Sequence, residues 1–134
     1  MIAIDSSVAI AGFAAWHEQH SAARKVLARR PRLVAHAALE TFSVLTRLPP
    51  PHRAQPEIVA DFLRRRFPDP PLGLSPDRYL DLVGDLAQRH MVGGQVYDAL
   101  IGLVAADHDV TLVSLDRRAV LVYEAVGAVV EQPV

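Results

Sequence analysis

The first seven residues constrain the fold of this chain more than any other stretch. Residues 1–4 are apolar, and the acid Asp5 and the hydroxyl-bearing Ser6 and Ser7 follow them at once. A short apolar run of this kind is typical of a buried parallel strand, because such strands are covered on both faces. Open α/β folds keep their chemistry at the carboxyl edge of the sheet. The pattern therefore predicts that Asp5 lies at such an edge.

Further short apolar runs alternate with helical stretches along the rest of the chain. Predicted strands lie at 33–35, 110–115 and 128–130. Predicted helices begin at residue 8 and then cover 17–30, 37–48, 56–67, 76–90, 96–106 and 118–125. In the helix over 76–90, the side chains expected to face inward are Tyr79, Leu80, Leu82, Val83 and Leu86. Strands separated by helices predict a three-layer α/β/α sandwich with a mostly parallel central sheet.

The size and composition of the chain indicate one domain over residues 1–134. A chain of 134 residues with 51% hydrophobic content can bury a core of its own. The proline-rich region around 49–71 is interpreted as a protruding helical arm and not as a domain boundary. The absence of cysteine excludes disulfides, thiolate zinc sites and a cysteine nucleophile, and agrees with a reducing compartment. With no leader pattern or membrane-spanning run, we expect a soluble cytoplasmic protein.

Four acids are expected to meet at the carboxyl edge of the sheet. Asp5 and Asp116 each end a predicted strand, while Glu40 and Asp98 each lie in the first turn of a predicted helix. Carboxylate oxygens without cysteine favour Mg²⁺, with Mn²⁺ as a substitute, over zinc. Such an ion activates water and neutralises charge on a phosphate, so phosphodiester hydrolysis is the natural reaction. All four acids are therefore predicted to be both catalytic residues and metal ligands.

Taken singly, each of these acids also has an ordinary structural interpretation. A strand-end or first-turn acid commonly caps a helix or complements its dipole. Ser6, Ser7 and Ser114 lie close in sequence to the acids and have two interpretations: they bond to a ligand carboxylate or to a metal-bound water, or they serve as cap and turn hydroxyls. The histidines show no motif pairing, and His36 is interpreted as a surface or cap residue.

The net charge of -1 gives no global argument for nucleic acid, but the arginines are gathered in two groups. The first group contains Arg29, Arg30 and Arg32, and the second covers 64–66. Arginine binds two phosphate oxygens at once with its planar fork. Cations at helix ends also complement the helix dipole. Both interpretations stay open at this point.

Four stretches of the chain together resemble the signature blocks of PIN-domain ribonucleases. These stretches are 2–7, 38–47, 97–101 and 111–117, and each contains one of the four acids. The length of the chain resembles that of the VapC toxins of type II toxin–antitoxin systems. The resemblance implies a Mg²⁺-dependent endoribonuclease toxin that cuts tRNA, rRNA or mRNA. It also implies a homodimer within a complex with a cognate VapB-type antitoxin, whose basic side chain enters the acidic pocket.

The resemblance also assigns roles to the acids. It implies that Asp5 and Asp98 are the principal metal ligands, and that Asp116 completes the site directly or through water. Glu40 is implied as a ligand through water or as the carboxylate that positions the attacking water. Many relatives carry a further acid where Arg118 stands here.

Three other classes of protein are alternatives to this interpretation. A metal-dependent phosphatase with a strand-end aspartate nucleophile wants an acid two residues after Asp5, where Ser7 stands. A receiver-like domain requires a late strand that ends in lysine, but the only lysine, Lys25, lies in a predicted helix. The third alternative is a non-catalytic interaction module on a PIN scaffold.

Overall fold

The computed structural model describes residues 1–133, in which four strands and seven α-helices alternate. The strands are β1 (Ile2–Ile4), β2 (Arg32–Leu33), β3 (Thr111–Val113) and β4 (Val130–Glu131). The helices are α1 (Ser6–Phe13), α2 (His20–Leu27), α3 (Ala35–Arg47), α4 (Pro56–Arg66), α5 (Tyr79–Arg89), α6 (Gln95–Asp107) and α7 (Arg117–Ala125). A 3₁₀ turn, Pro76–Arg78, leads into α5.

The four strands form one parallel sheet in the order β2-β1-β3-β4. Ile4 in β1 pairs with Leu33 on one side and with Val113 on the other. Ile4 and Val113 are completely buried, because helices cover both faces of the central strands. The predicted α/β/α sandwich with a parallel sheet is confirmed.

Two predicted acid positions differ from those observed. Glu40 was expected in the first turn of its helix, but α3 begins at Ala35, so Glu40 lies in the second turn. The helix starts early because the chain leaves the sheet at Val34, and the amide of Ala35 donates at once to the carbonyl of Leu72. No side chain caps this helix, so the sequence contains no cap that would predict its first residue.

Asp116 was expected to end a strand, but β3 already ends at Val113. After Val113 two backbone amides donate to side chains and not to a neighbouring strand. The amide of Leu115 donates to Ser7 Oγ at 2.8 Å, and that of Asp116 donates to Ser114 Oγ at 3.0 Å. Asp116 is therefore the N-cap residue of α7.

The apolar side of α5 is only partly buried, which contradicts its predicted inward face. Leu82 and Leu86 are buried, at positions i and i+4. Tyr79 and Val83 are exposed, and Leu80 is 81% exposed. The helix lies on the surface and contacts the core along one narrow stripe, so its apolar arc is wider than the stripe that the core covers.

The proline-rich segment 49–71 contains one helix, α4. Val59 in this helix is completely buried. Phe62 packs edge-on against Phe13 of α1, with ring centroids 5.2 Å apart, and also against Phe67 at 6.3 Å.

None of the helices in the described residues has the length and apolar character that crossing a membrane requires.

Helices α6 and α7 approach each other closely at Gly102. A Cβ atom at this position would lie 2.9 Å from the backbone Cα of Tyr123 and 2.8 Å from Val126 Cγ2. The absence of a side chain therefore permits this helix pair to pack. The close approach also fixes Tyr123, whose hydroxyl reaches Asp5 at the sheet edge.

We predict that Gly102→Ala lowers the free energy of unfolding by about 1–3 kcal/mol, because a methyl group would be forced against the α7 backbone. The matched control is Gly84→Ala in α5, where an added Cβ meets no atom within 4 Å. This control should gain up to about 1 kcal/mol from helix propensity alone. Urea unfolding of both variants measures the difference. Equal stability of the two variants would contradict the close packing of α6 on α7.

Candidate functional site

Asp5 is buried at the carboxyl end of β1 and accepts hydrogen bonds from three parts of the chain. Its side chain is the N-cap of α1, where Oδ1 accepts from the amides of Ser7 at 3.1 Å and Val8 at 3.4 Å. The hydroxyl of Ser7 also donates to Oδ1 at 2.6 Å. Oδ2 accepts from Ser114 Oγ at 2.6 Å and from the Tyr123 hydroxyl at 2.8 Å. This network fixes the orientation of the carboxylate.

Burial and hydrogen bonding act in opposite directions on this group. Burial raises the pKa of Asp5, while the hydroxyls of Ser114, Ser7 and Tyr123 lower it. Ser7 and Ser114 thus bond to the predicted ligand carboxylate, which is one of the two alternatives that the sequence left open. The phenol is affected in turn, because burial and the adjacent Asp5 raise the pKa of Tyr123.

Asp98 lies in the first turn of α6, as predicted, and both burial and the charges of the other three acids raise its pKa. Burial raises the pKa of Asp98 to about 6, with further increases from Asp116, Glu40 and Asp5. The guanidinium of Arg118 acts in the opposite direction on the same group. Asp116 also lines the same cleft as Asp98, so the two acids face one space, and the charges of Glu40 and Asp5 reach it.

Glu40 is half-buried on α3 beside the imidazole of His36. Burial raises the pKa of Glu40, and the charge of Asp5 raises it further, whereas His36 and Ser6 lower it. The distance from His36 Nε2 to Glu40 Oε2 is 3.8 Å. The carboxylate on this side of the site therefore has a cationic partner available when the imidazole is protonated.

Asp116 has a different environment from the other three acids. It is exposed, and its Oδ1 accepts from the amides of Arg118 at 3.0 Å and Ala119 at 3.3 Å. With Asp98 and Gln95 it lines a cleft of about 380 Å³ between the starts of α6 and α7. The cap interpretation is thus correct for Asp116, and its second oxygen makes none of the hydrogen bonds found in residues 1–133.

Two residues of this region were missed by sequence reasoning. Tyr123 lies far along the chain on α7, and no local pattern links it to Asp5. His36 was interpreted as a surface or cap residue, but its ring stacks on that of Tyr97, with centroids 4.8 Å apart and an interplanar angle of 7°. The spacing of four residues between His36 and Glu40 was a usable signal, because such residues are neighbours on a helix.

The donor chemistry of these acids fits Mg²⁺, although the described residues do not form a closed cage. No three histidine, aspartate or glutamate side chains within residues 1–133 are arranged to hold an ion by themselves. Magnesium commonly binds one or two carboxylates and keeps several waters, so an open acidic region suits it. The assignment of Asp5, Glu40, Asp98 and Asp116 as metal ligands stays a prediction.

Asp5 places a condition on any such ion. A carboxylate offers about four lone-pair sites, and Asp5 already receives five donors. An ion bound directly to Asp5 would therefore displace one of these donors, whereas an ion bound through water would leave all five in place. Asp98 makes no hydrogen bond through its carboxylate within the described residues, so it is the more accessible ligand.

Comparison with known proteins identifies the family of this chain. Residues 2–125 match the PIN domain. Ribonuclease VapC40 of Mycobacterium tuberculosis strain H37Rv is 47% identical over 131 residues, which cover 98% of this chain and 98% of that protein. Ribonuclease VapC27 of the same strain is 43% identical over 127 residues, which cover 94% of this chain and 92% of that protein. The chain therefore belongs to the PIN-domain family, and within it to the VapC-type ribonucleases.

Proposed function

We propose that this chain is a Mg²⁺-dependent endoribonuclease that hydrolyses RNA phosphodiester bonds and acts as the toxin of a toxin–antitoxin pair. The observation that carries the proposal is that Asp98 and Asp116 line one cleft, where the charges of Glu40 and Asp5 also act on Asp98. Acids that repel one another at a sheet edge favour a divalent cation. The similarity to two proteins named as ribonucleases supports RNA as the substrate.

In this proposal the four acids divide into ion holders and a water-positioning group. Asp5 and Asp98 would hold the ion, with Asp116 completing the site directly or through water. When bound, Mg²⁺ would supply charge neutralisation at the phosphate and acidify a water molecule. The donors from Ser7, Ser114 and Tyr123 keep Asp5 in one orientation, so the site is arranged before the substrate arrives.

Glu40 is the proposed positioning group for the attacking water. It is half-buried and its pKa is raised, mainly by burial, so it is a better proton acceptor than an exposed glutamate. Water attacks phosphorus and its oxygen forms the new bond, while Glu40 takes the proton. The leaving oxygen keeps the electron pair of the broken bond and is protonated by solvent.

The proposed substrates are tRNA, rRNA or mRNA, and the proposed inhibitor is a cognate VapB-type antitoxin. An excess of negative charge around Asp98 and Asp116 would attract a basic side chain of such an antitoxin. That side chain would occupy the place of the cation and prevent it from binding. A homodimer within the toxin–antitoxin complex is part of the same proposal.

The first test is cleavage of total cellular RNA by the purified, antitoxin-free chain with Mg²⁺ or with EDTA. We expect discrete fragments only with Mg²⁺, and a loss of about 100-fold or more in rate for Asp98→Asn, because even residues that support metal ligands cost up to about that much. The matched control is Asp81→Asn, which removes the first-turn acid of α5 away from the cleft. It should cleave like the wild type.

The choice of Asp98 rather than Asp5 keeps this test clear. In Asp5→Asn, an NH₂ group would replace one carboxylate oxygen and would face groups that now donate hydrogen bonds to Asp5. That variant is therefore expected to lose stability as well as activity. Full cleavage by folded Asp98→Asn would overturn the site assignment. Absence of cleavage by the folded wild type with every RNA class would overturn the ribonuclease proposal.

A further prediction concerns how the stability of the fold depends on pH and on Mg²⁺. The pKa of Asp98 is raised in the fold from 3.8 to about 6, so the folded state binds its proton more tightly than the unfolded state does. The resulting loss of stability therefore begins above about pH 3.8 and is complete above about pH 6. Without metal, we expect the melting temperature to fall between about pH 5 and about pH 8.

Added Mg²⁺ should raise the melting temperature at about pH 8 and have little effect at about pH 5, because it binds the ionised carboxylates. Asp98→Asn should flatten the pH dependence and reduce the response to Mg²⁺. Differential scanning calorimetry with and without EDTA measures both effects. If Asp98→Asn has the same pH dependence and the same response to Mg²⁺ as the wild type, Asp98 is not the group responsible.

A further inference from the structure

The two arginine groups of the sequence meet at one cavity of about 500 Å³. We call it the arginine cavity and define it by Arg30, Arg32, Arg65 and Arg66, which all line it. It lies between the end of α2, the amino end of β2 and the end of α4. Because the strands are parallel, the amino end of β2 and the acids after β1 are at opposite edges of the sheet. The arginine cavity is thus separate from the acidic site.

The cations of this cavity are poorly neutralised by the protein. Arg30, Arg32 and Arg66 have no carboxylate within 4.0 Å among residues 1–133, whereas Arg65 donates to Asp61 at 3.0 Å. One acid, Asp69, also lines the cavity. Four guanidinium groups against the two carboxylates of Asp61 and Asp69 leave a net positive charge at the cavity.

The two sequence groups do not enter the cavity as wholes. Arg29 turns away and forms a two-bond ion pair with Glu131, at 2.6 and 3.2 Å. Arg64 instead lines a different, more apolar groove between α3 and α4. Arg30, in contrast, does line the arginine cavity. Its backbone φ of 54° lies in the left-handed region. The fold therefore selects particular arginines for the cavity.

Arg32 supplies an independent sign that the cavity suits an anion. One of its terminal nitrogens donates to the carbonyl of Pro70. Its Nε is buried and is the one buried side-chain nitrogen or oxygen in the described residues without a hydrogen-bond partner. A buried charged donor without an acceptor costs free energy. An anionic oxygen bound in the cavity would supply that acceptor.

We propose that the arginine cavity binds a phosphate group, and that this phosphate belongs to the RNA backbone at a distance from the bond that is cut. The choice of RNA rests on the function proposed above, whereas the choice of phosphate rests on the cavity alone. Guanidinium groups bind two phosphate oxygens in a planar fork. Leu27 and Phe67 add apolar surface to the same lining.

The test for RNA uses a 2′-O-methyl oligonucleotide, which cannot be cleaved by attack of its own 2′-hydroxyl, in EDTA to prevent metal-dependent hydrolysis. Its binding is followed by fluorescence anisotropy over a series of salt concentrations. The double variant Arg30→Gln with Arg66→Gln should bind more weakly, with a log–log salt slope smaller by about 0.7 for each phosphate that is no longer neutralised. The matched control Arg64→Gln removes an adjacent α4 arginine that does not line the cavity, and its slope should match that of the wild type.

The test for phosphate alone uses pyrophosphate in the same EDTA buffer, measured by isothermal titration calorimetry. The wild type and Arg64→Gln should bind it, while the double variant should bind at least about tenfold more weakly, since it lacks two of the four guanidinium groups that line the cavity. If the double variant does not fold, as judged by its melting temperature, the single variant Arg66→Gln takes its place, because Arg66 is exposed.

The outcomes separate the two parts of the proposal. Equal effects of the double variant and Arg64→Gln, or no effect of either, would overturn the site and leave these arginines as cations that complement helix ends. Loss of pyrophosphate binding with unchanged oligonucleotide binding would keep the phosphate site and overturn RNA as its source. Because neither measurement depends on cleavage, a chain without ribonuclease activity would overturn the proposed function and not the phosphate site.

Discussion

The structure depends on one buried carboxylate. Asp5 is 1% exposed, and a charge in that position is tolerated only where hydrogen bonds replace the lost water. The donors come from α1, from the turn after β3 and from α7, so satisfying Asp5 requires all three to be in place. The same bonds that compensate the buried charge also align the sheet edge on which the other acids converge. Stability and site geometry therefore have a common origin.

The acids around Asp5 have graded environments. Asp5 is enclosed, Glu40 and Asp98 are half-buried, and Asp116 is exposed at the mouth of the cleft. Burial is the largest cause of the raised pKa values of Asp5, Glu40 and Asp98, and mutual repulsion adds to it for Glu40 and Asp98. A cation that enters from solvent would meet the exposed carboxylate of Asp116 before the buried carboxylate of Asp5. The arginine cavity at the opposite sheet edge has the complementary sign, so the two ends of the sheet have opposite electrostatic character.

Much of this arrangement followed from the sequence, because the informative patterns are local. The run from Ile2 to Asp5 predicted a strand with an acid at its end, and the helix of Asp98 was predicted within a residue or two. The failures came from contacts distant in sequence. The exposure of Leu80 depends on how α5 sits on the core, and the bond from Tyr123 to Asp5 spans 118 positions. Helical spacing contains no information about either.

The long sequence separation between Asp5 and its donors affects when the site can form during translation. Asp5 is made more than a hundred residues before Ser114 and Tyr123, since their hydrogen bonds span 109 and 118 positions. Until the final helix has left the ribosome, the growing chain lacks both donors to Oδ2 and also lacks Asp116. Contacts so far apart in sequence form only after most of the chain is available. A chain that stops before Ser114 therefore lacks both donors to Oδ2 and Asp116, and its carboxylates cannot take up the arrangement seen in the complete fold.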